Sequence, residues 1–423
     1  MEVLGLPSDL ACVLYRLERY SARISEYAEH NPVGSADLIL QKFHIHMHQW
    51  YPVLHPDFTL HFRESSAAGF PPSSMSCLSL LVASLAHISH DQIQSSPFEA
   101  ALSMLPIVIQ EHSVTSIQCL LLFSLYSACL VQPRQAYDYI QSAFLKIQPF
   151  FKRTLCGQSS PESPLIRRLY WTIHIIESEL SMHLSLSSIG GTMRDHLAVI
   201  QLPTNTDVWD WSDDSHISEA YSQAETPFHF STEIQLQAVL NKYTSSAMDD
   251  LSASREISDL SHPLAFGQDM LCSSIAPHSP SQPISQHIDG AVCRAKYHFY
   301  EVSIYWPVIY RIIINGSTDP ELLPYAPLFF QSVTSLLASS NLALRVCLPK
   351  TWFLCASIYV VSIAAIKALE VRCLRLLCQP QFWEHIDASV DALHRPSMLS
   401  PSVQYMRESL KARLERTSIQ HRP

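Results

Sequence analysis

The chain has 423 residues, 47% of them hydrophobic and 16% charged, a balance that excludes a disordered polymer and gives material for one large core or two packed halves. Glycine is scarce at 9 residues against 27 prolines, which argues against a β-sandwich or a Gly-rich nucleotide fold and for helices joined by Pro-punctuated loops. A net charge of −10, from 28 basic and 38 acidic residues, excludes a surface that as a whole attracts a polyanion, and the 21 histidines are mostly neutral near pH 7.

Ser8 is a good N-cap, and Leu10, Leu14, Leu17, Ile24 and Ala28 follow at helical spacing until Asn31-Pro32 closes the helix. Arg16, Arg19 and Arg23 lie off that stripe, and with Glu18 and Glu26 beside them they read as a solvated face rather than a nucleic-acid contact. A second helix starts near Asp37 and runs through Phe43 towards His48, with Pro52 forcing its end and residues 54–58 a turn. The runs 76–87 and 114–131 are almost continuously apolar, too long for strands, and read as central helices. Pro133 opens an amphipathic helix with Ala136, Ile140, Phe144 and Ile147 on one face, and Pro164 opens another that continues to Gly190-Gly191.

Beyond residue 204 the chemistry changes to an acidic stretch, Trp209 to Asp214, and then to Ser- and Pro-rich sequence, with 244–287 expected to be mobile. Helical pattern resumes at Ile288, and further helices fit 325–347, 351–368 and 402–417. Trp352 to Ile366 falls short of the roughly 18 apolar residues of a membrane span and reads as a core helix. The N-terminus has no basic n-region, no Cys-x-x-Cys pair occurs among the 11 cysteines, and all are expected as reduced, mostly buried thiols.

Candidate chemistry is sparse. His44, His46 and His48 are metal-ligand types, with His55 and His61 downstream, but on a helix only His44 and His48 share a face, and no carboxylate or Cys stands at ligand spacing. Asn241, Ser245 and Asp249, with Asp210, Asp213 and Asp214 upstream, mimic the magnesium motifs of a helical isoprenoid enzyme, yet both groups lie in polar sequence about 30 residues apart. No nucleophile elbow, phosphate loop or His-Glu-x-x-His is present. Glu177 and Glu179 are two apart, so on a helix they diverge and read as paired with basic neighbours or facing water.

Two stretches carry a resemblance. Trp50-Tyr-Pro52-Val-Leu-His55-Pro-Asp-Phe58, followed in order by 116–123 and 133–137, is similar to the opening of the fungal-specific regulatory domain of zinc-cluster transcription factors. Arg167-Arg168-Leu-Tyr-Trp171, Glu177 and the closing Pro203 resemble that family's paired Arg, Trp and acidic block, and Trp306-Pro307 a later helix. Two positions depart from the pattern: Glu177-Ser178 stands for Asp-Arg, and 185–187 for a Gly-Arg-Pro turn.

The fold class expected is therefore all-α, an irregular multi-helix array forming one large domain with a disordered Ser/Pro-rich insertion. Its parts are an N-terminal amphipathic helix (1–35), a first half of the regulatory domain (36–203), the acidic and Ser/Pro-rich insertion (204–287) and a helical second half (288–423). The resemblance implies a nuclear transcriptional regulator, shuttling with the cytoplasm or not. Its residues Trp50, Pro52, His55, Phe58, Arg167, Arg168, Trp171, Glu177, Pro203, Trp306 and Pro307 are expected to serve structure for the most part, with no catalytic residue, cofactor or metal. Without closely spaced cysteines, DNA contact falls to a partner, a DNA-binding factor or co-regulator, alongside a small-molecule effector or a dimer mate and no membrane. The alternative is a biosynthetic enzyme built on the same helical scaffold.

Overall fold

A computed structural model describes residues 8–19, 35–48, 50–55, 57–88, 96–155, 163–184, 230, 233–237, 284–315, 320–346 and 349–421. Among them are 16 α-helices, one π-turn and no strand, the all-α architecture that the composition implies. Pro203, the acidic cluster, the magnesium-motif mimic and residues 244–283 of the Ser/Pro-rich stretch lie outside the described residues, whereas 284–287, expected to be mobile, form the first turn of a helix. The chain separates into two compact units, one of residues 22–181 with 187–234, the other of 1–21, 182–186 and 235–423.

In the first unit, α2 (Ala36–Phe43) leads into a π-turn (His44–His48), followed by α3 (Phe58–Ala67), α4 (Ser74–His87), α5 (Ser96–Ser103), α6 (Leu105–Gln110), α7 (Val114–Cys129), α8 (Pro133–Leu155) and α9 (Ser163–Leu184). The apolar runs become the centre, as the sequence predicts: α4 packs on α2, α3, α5 and α7, and α7 packs on α8. Local chemistry fixes their ends. Ser73 caps α4 by accepting the Ser76 N–H at 3.1 Å, and Ser113 caps α7 through a reciprocal box with Ser116. Lys146 of α8 donates to the carbonyls of Ile109 and Glu111 at 2.8 and 2.5 Å, placing a cation where the α6 dipole is negative.

Three helices of this unit escape the periodicity reading: α3, where a turn was expected up to Phe58, and the short α5 and α6. Pro97 and Pro106 sit in the first turns of the latter two, positions that tolerate a missing N–H, so these prolines start helices instead of marking loops.

The second unit opens with α1 (Ser8–Arg19) and continues with α10 (Ile284–Asn315), α11 (Tyr325–Ala343), α12 (Thr351–Leu369), α13 (Arg372–Arg375), α14 (Gln381–Ala392), α15 (His394–Ser397) and α16 (Pro401–His421). Of these, α14 occupies sequence for which no helix was predicted. α10 pairs closely with α11, α11 also meets α12 and α14, and α16 meets α12, α15 and α1. Trp306 is buried against Phe329 with ring centroids 6.0 Å apart, while Pro307 lies exposed inside α10, where it removes one bond from the helix ladder. α12 is long and apolar enough to cross a membrane by length and composition, and 94% of its apolar window is buried inside the protein.

One expectation for α1 fails. Glu18 is no member of a solvated face: it is buried, its carboxylate accepting from the Ser402 N–H at 3.1 Å and from the Ser400 hydroxyl. Arg16 is exposed, as predicted.

Candidate functional site

In the first unit the polar residues that the sequence offers to chemistry gather around α9. Every described side chain of this helix from Ile166 to Ser181 is buried except Arg167, which is half-buried, although Arg168, Thr172, His174, Glu177, Ser178, Glu179 and Ser181 are among them. A helix buried around its whole circumference is normally apolar, so polar residues here have to be matched inside the protein. Glu177 and Glu179 accordingly do not face water, contrary to one of the two readings their spacing allowed.

Arg168, Thr172, Ile175 and Glu179 recur at the spacing of one helical stripe. The segment His44–Tyr51 lies along this stripe, His48 near Arg168 and Tyr51 near Glu179. Its shape follows from local bonding: α2 widens into the π-turn, the amides of Trp50 and Tyr51 donate back to the Met47 carbonyl at 3.1 and 2.8 Å, and Pro52 stops the helix. The buried amide of Gln118 on α7 then donates to the Val53 carbonyl at 2.7 Å, which fixes the segment after the proline.

The π-turn decides where the three histidines go. His44 and His48 are buried with their rings stacked at 5.2 Å and an interplanar angle of 28°, while His46 points to solvent. Among the described residues no three His, Cys, Asp or Glu side chains are grouped to hold a metal ion. Burial, then the neighbouring His44 and Arg168, pushes the His48 imidazole well below its ordinary value, so it is neutral at physiological pH. Burial, then Glu179, Glu233 and Cys129, pushes the Tyr51 phenol well above its ordinary value, so it keeps its proton.

The family-type residues divide by role. Trp50, Pro52 and Phe58 are core, Phe58 pairing with Phe62 at 6.0 Å. His55 is exposed, its Nδ1 3.1 Å from Asp57 Oδ2 at the turn before α3. Arg168 is wholly buried, and Trp171 packs edge-on to Tyr170 and His174 at 6.3 and 6.0 Å. Thr172 was not singled out from sequence and Tyr51 only as part of a motif, whereas His44 and His48 were expected to share a face, as their stacked rings do. The available signal was a run of ionisable residues inside a helix whose other positions are apolar.

The second unit holds another half-buried polar group, in which the Glu301 Oε2 of α10 meets His298 Nδ1 at 2.8 Å and accepts from the Ser332 hydroxyl of α11 at 2.9 Å. Burial raises the Glu301 carboxyl, but the bonds from His298, Tyr297 and Ser332 outweigh it and leave it below its usual value. Hydroxyl and imidazole meet the same carboxylate oxygen instead of each other, so this arrangement joins α10 to α11 and does not activate a nucleophile.

The α9 motif, the aromatic-proline segment before it and the all-helical frame are the features of one known class. The family described as fungal specific transcription factor domain matches residues 40–277, more than half of the chain. The chain belongs to this family and is by class a transcriptional regulator. It is also similar to a protein of Aspergillus rugulosus described as "Putative transcription factor ecdB", 28% identical over 439 residues that span 98% of this chain and 79% of that protein. No solved structure matches.

Proposed function

We propose that this chain is the regulatory body of a fungal transcriptional regulator that works in the nucleus and acts on a biosynthetic gene set. The observation that carries this reading is the family match over residues 40–277, which includes the buried α9 motif. Contact with DNA comes through a partner, a DNA-binding factor or co-regulator. Two features support that division of labour: the net charge of −10, and the interleaving of Arg407, Lys411, Arg413 and Arg416 with Glu408 and Glu415 on α16. The chain's own part is to sense a small-molecule effector or a partner with its helical interior. The residues Trp50, Phe58, Arg168, Trp171 and Trp306 hold that interior together.

The experiment is a deletion strain compared with wild type by transcript profiling, with a fluorescently tagged chain localised in the same cells. Nuclear signal and a coherent set of altered transcripts are expected. A cytoplasmic protein whose loss leaves transcripts unchanged would overturn the reading.

A further inference from the structure

α4 and α7, the apolar helices that pack together at the centre of the first unit, each bring a cysteine to their shared interface, Cys77 from α4 and Cys119 from α7. Both residues are at 0% exposure and both are reduced. The Cys119 thiol donates across the interface to the Ser74 carbonyl of α4 at 3.3 Å, in the turn that carries Cys77, and lies within hydrogen-bonding reach of the Cys77 thiol. The Cys77 thiol donates to the Ala101 carbonyl of α5 at 3.4 Å. Two sulfurs from different helices therefore meet side by side in the core.

A disulfide needs its sulfurs about 2.05 Å apart and its Cβ atoms about 3.8 Å apart, so thiols already in contact require a small side-chain movement to join. Access is the harder condition. Burial, then the neighbouring Cys77, pushes the Cys119 thiol well above its ordinary value, so it keeps its proton and the closed fold resists oxidation. On the Cys77 side the pair is covered by α5, a helix of eight residues that packs on α4 and α6. A short peripheral helix opens at lower cost than the unit as a whole, which gives an oxidant a route.

We propose that Cys77 and Cys119 form a dithiol that a hydroperoxide converts to a disulfide, cross-linking α4 to α7 when α5 lifts. One cysteine gives up its proton and its sulfur attacks the O–O bond, forming a sulfenic acid as the alcohol leaves. The second sulfur attacks the sulfenic sulfur, the S–S bond forms and water leaves. The two thiols lose two electrons, and the hydroperoxide is reduced to alcohol and water. The product can no longer donate to Ala101, so oxidation at the core weakens the seat of α5 at the surface. This inference stands independently of the regulatory reading above and adds a redox input to it.

The test treats the reduced full chain with tert-butyl hydroperoxide, in buffer and in urea below the unfolding transition, then blocks remaining thiols and maps peptides by mass spectrometry. A peptide pair joined through Cys77 and Cys119 and released by dithiothreitol is expected, forming about tenfold faster in urea. It should be lost in Cys119→Ala, or in Cys77→Ser if that variant does not fold, and kept in Cys355→Ala. Cys129, buried on α7 in the same unit, should stay unreactive to a maleimide over the same period. No such link under conditions that consume exposed Cys12, links to other cysteines instead, an equal rate with and without urea, or Cys129 reacting as fast as the link forms would overturn the proposal.

Discussion

Glu18 and Ser402 stand 384 residues apart in sequence and are joined by a hydrogen bond, the Ser402 N–H donating to Glu18 Oε1 at 3.1 Å. The Ser400 hydroxyl donates to the same oxygen, Ser400 and Ser402 hydroxyls meet at 2.9 Å, and the indole of Trp352 donates to Ser402 Oγ at 2.9 Å. An acid from α1 thus caps α16, where backbone donors are exposed and the helix dipole favours negative charge.

Replacing that acid should be costly in a way ordinary acid substitutions on the surface are not. Glu18→Ala leaves the buried Ser402 amide unmatched and is expected to lower stability by about 1–3 kcal/mol. Exposed Lys411→Ala should stay within about 0.5 kcal/mol of wild type. Urea unfolding of both variants checks this, and equal midpoints for the two would remove Glu18 from its capping role.

Thr172→Val should run the other way and stabilise the chain. The swap deletes an unmatched buried hydroxyl and keeps the β-branched shape, so a gain of about 1 kcal/mol is expected. A lowered melting temperature would show that the hydroxyl is already satisfied.

Trp171 is buried in the middle of α9, and its truncation to Ala removes a large side chain from a packed interior. A loss of about 3–5 kcal/mol follows from the cavity and the lost contact area. Chemical denaturation gives the number, and a change below about 1 kcal/mol would contradict the burial assigned to this helix.

The buried His48 makes stability depend on pH with a definite sign. Its folded-state value is depressed, so between that value and its ordinary value, about 6.5, the unfolded chain binds the extra proton. Stability attributable to His48 is therefore complete above about pH 6.5 and declines on acidification, by up to about 1.4 kcal/mol per pH unit. In His48→Asn the slope of unfolding free energy between pH 7 and 5 should be shallower by about one proton. An unchanged slope would mean that His48 titrates alike in both states.

How much of this was legible in the sequence depends on how far away the deciding partner lies. The apolar runs of α4, α7 and α12 identify themselves, because helices buried on all sides need no polar face, and the stripe Ala136, Ile140, Phe144 and Ile147 places α8 correctly. Short α5 and α6 carry too few turns for a period to show. Glu18 looked solvated because its neighbours in sequence are arginines, whereas its partners lie on α16. At α9 the residues Arg168 and Trp171 could be named from the motif, but their convergence with an unmatched Thr172, opposite a π-turn that turns His46 outward, required the backbone path.

The chain route also sets an order of assembly. Residues 22–181 and 187–234 form a unit enclosed in sequence by the other, which includes both α1 and α16. On the ribosome the enclosed unit is finished long before α16 emerges, and N-terminal units fold first as synthesis proceeds. α1 is translated well before α16, the helix it packs on, and can dock there only after α16 is made. A nascent chain stalled anywhere between α1 and Pro401 would therefore display α1 without its seat, exposing the apolar stripe of Ala11 and Leu14 to chaperones until α16 is made.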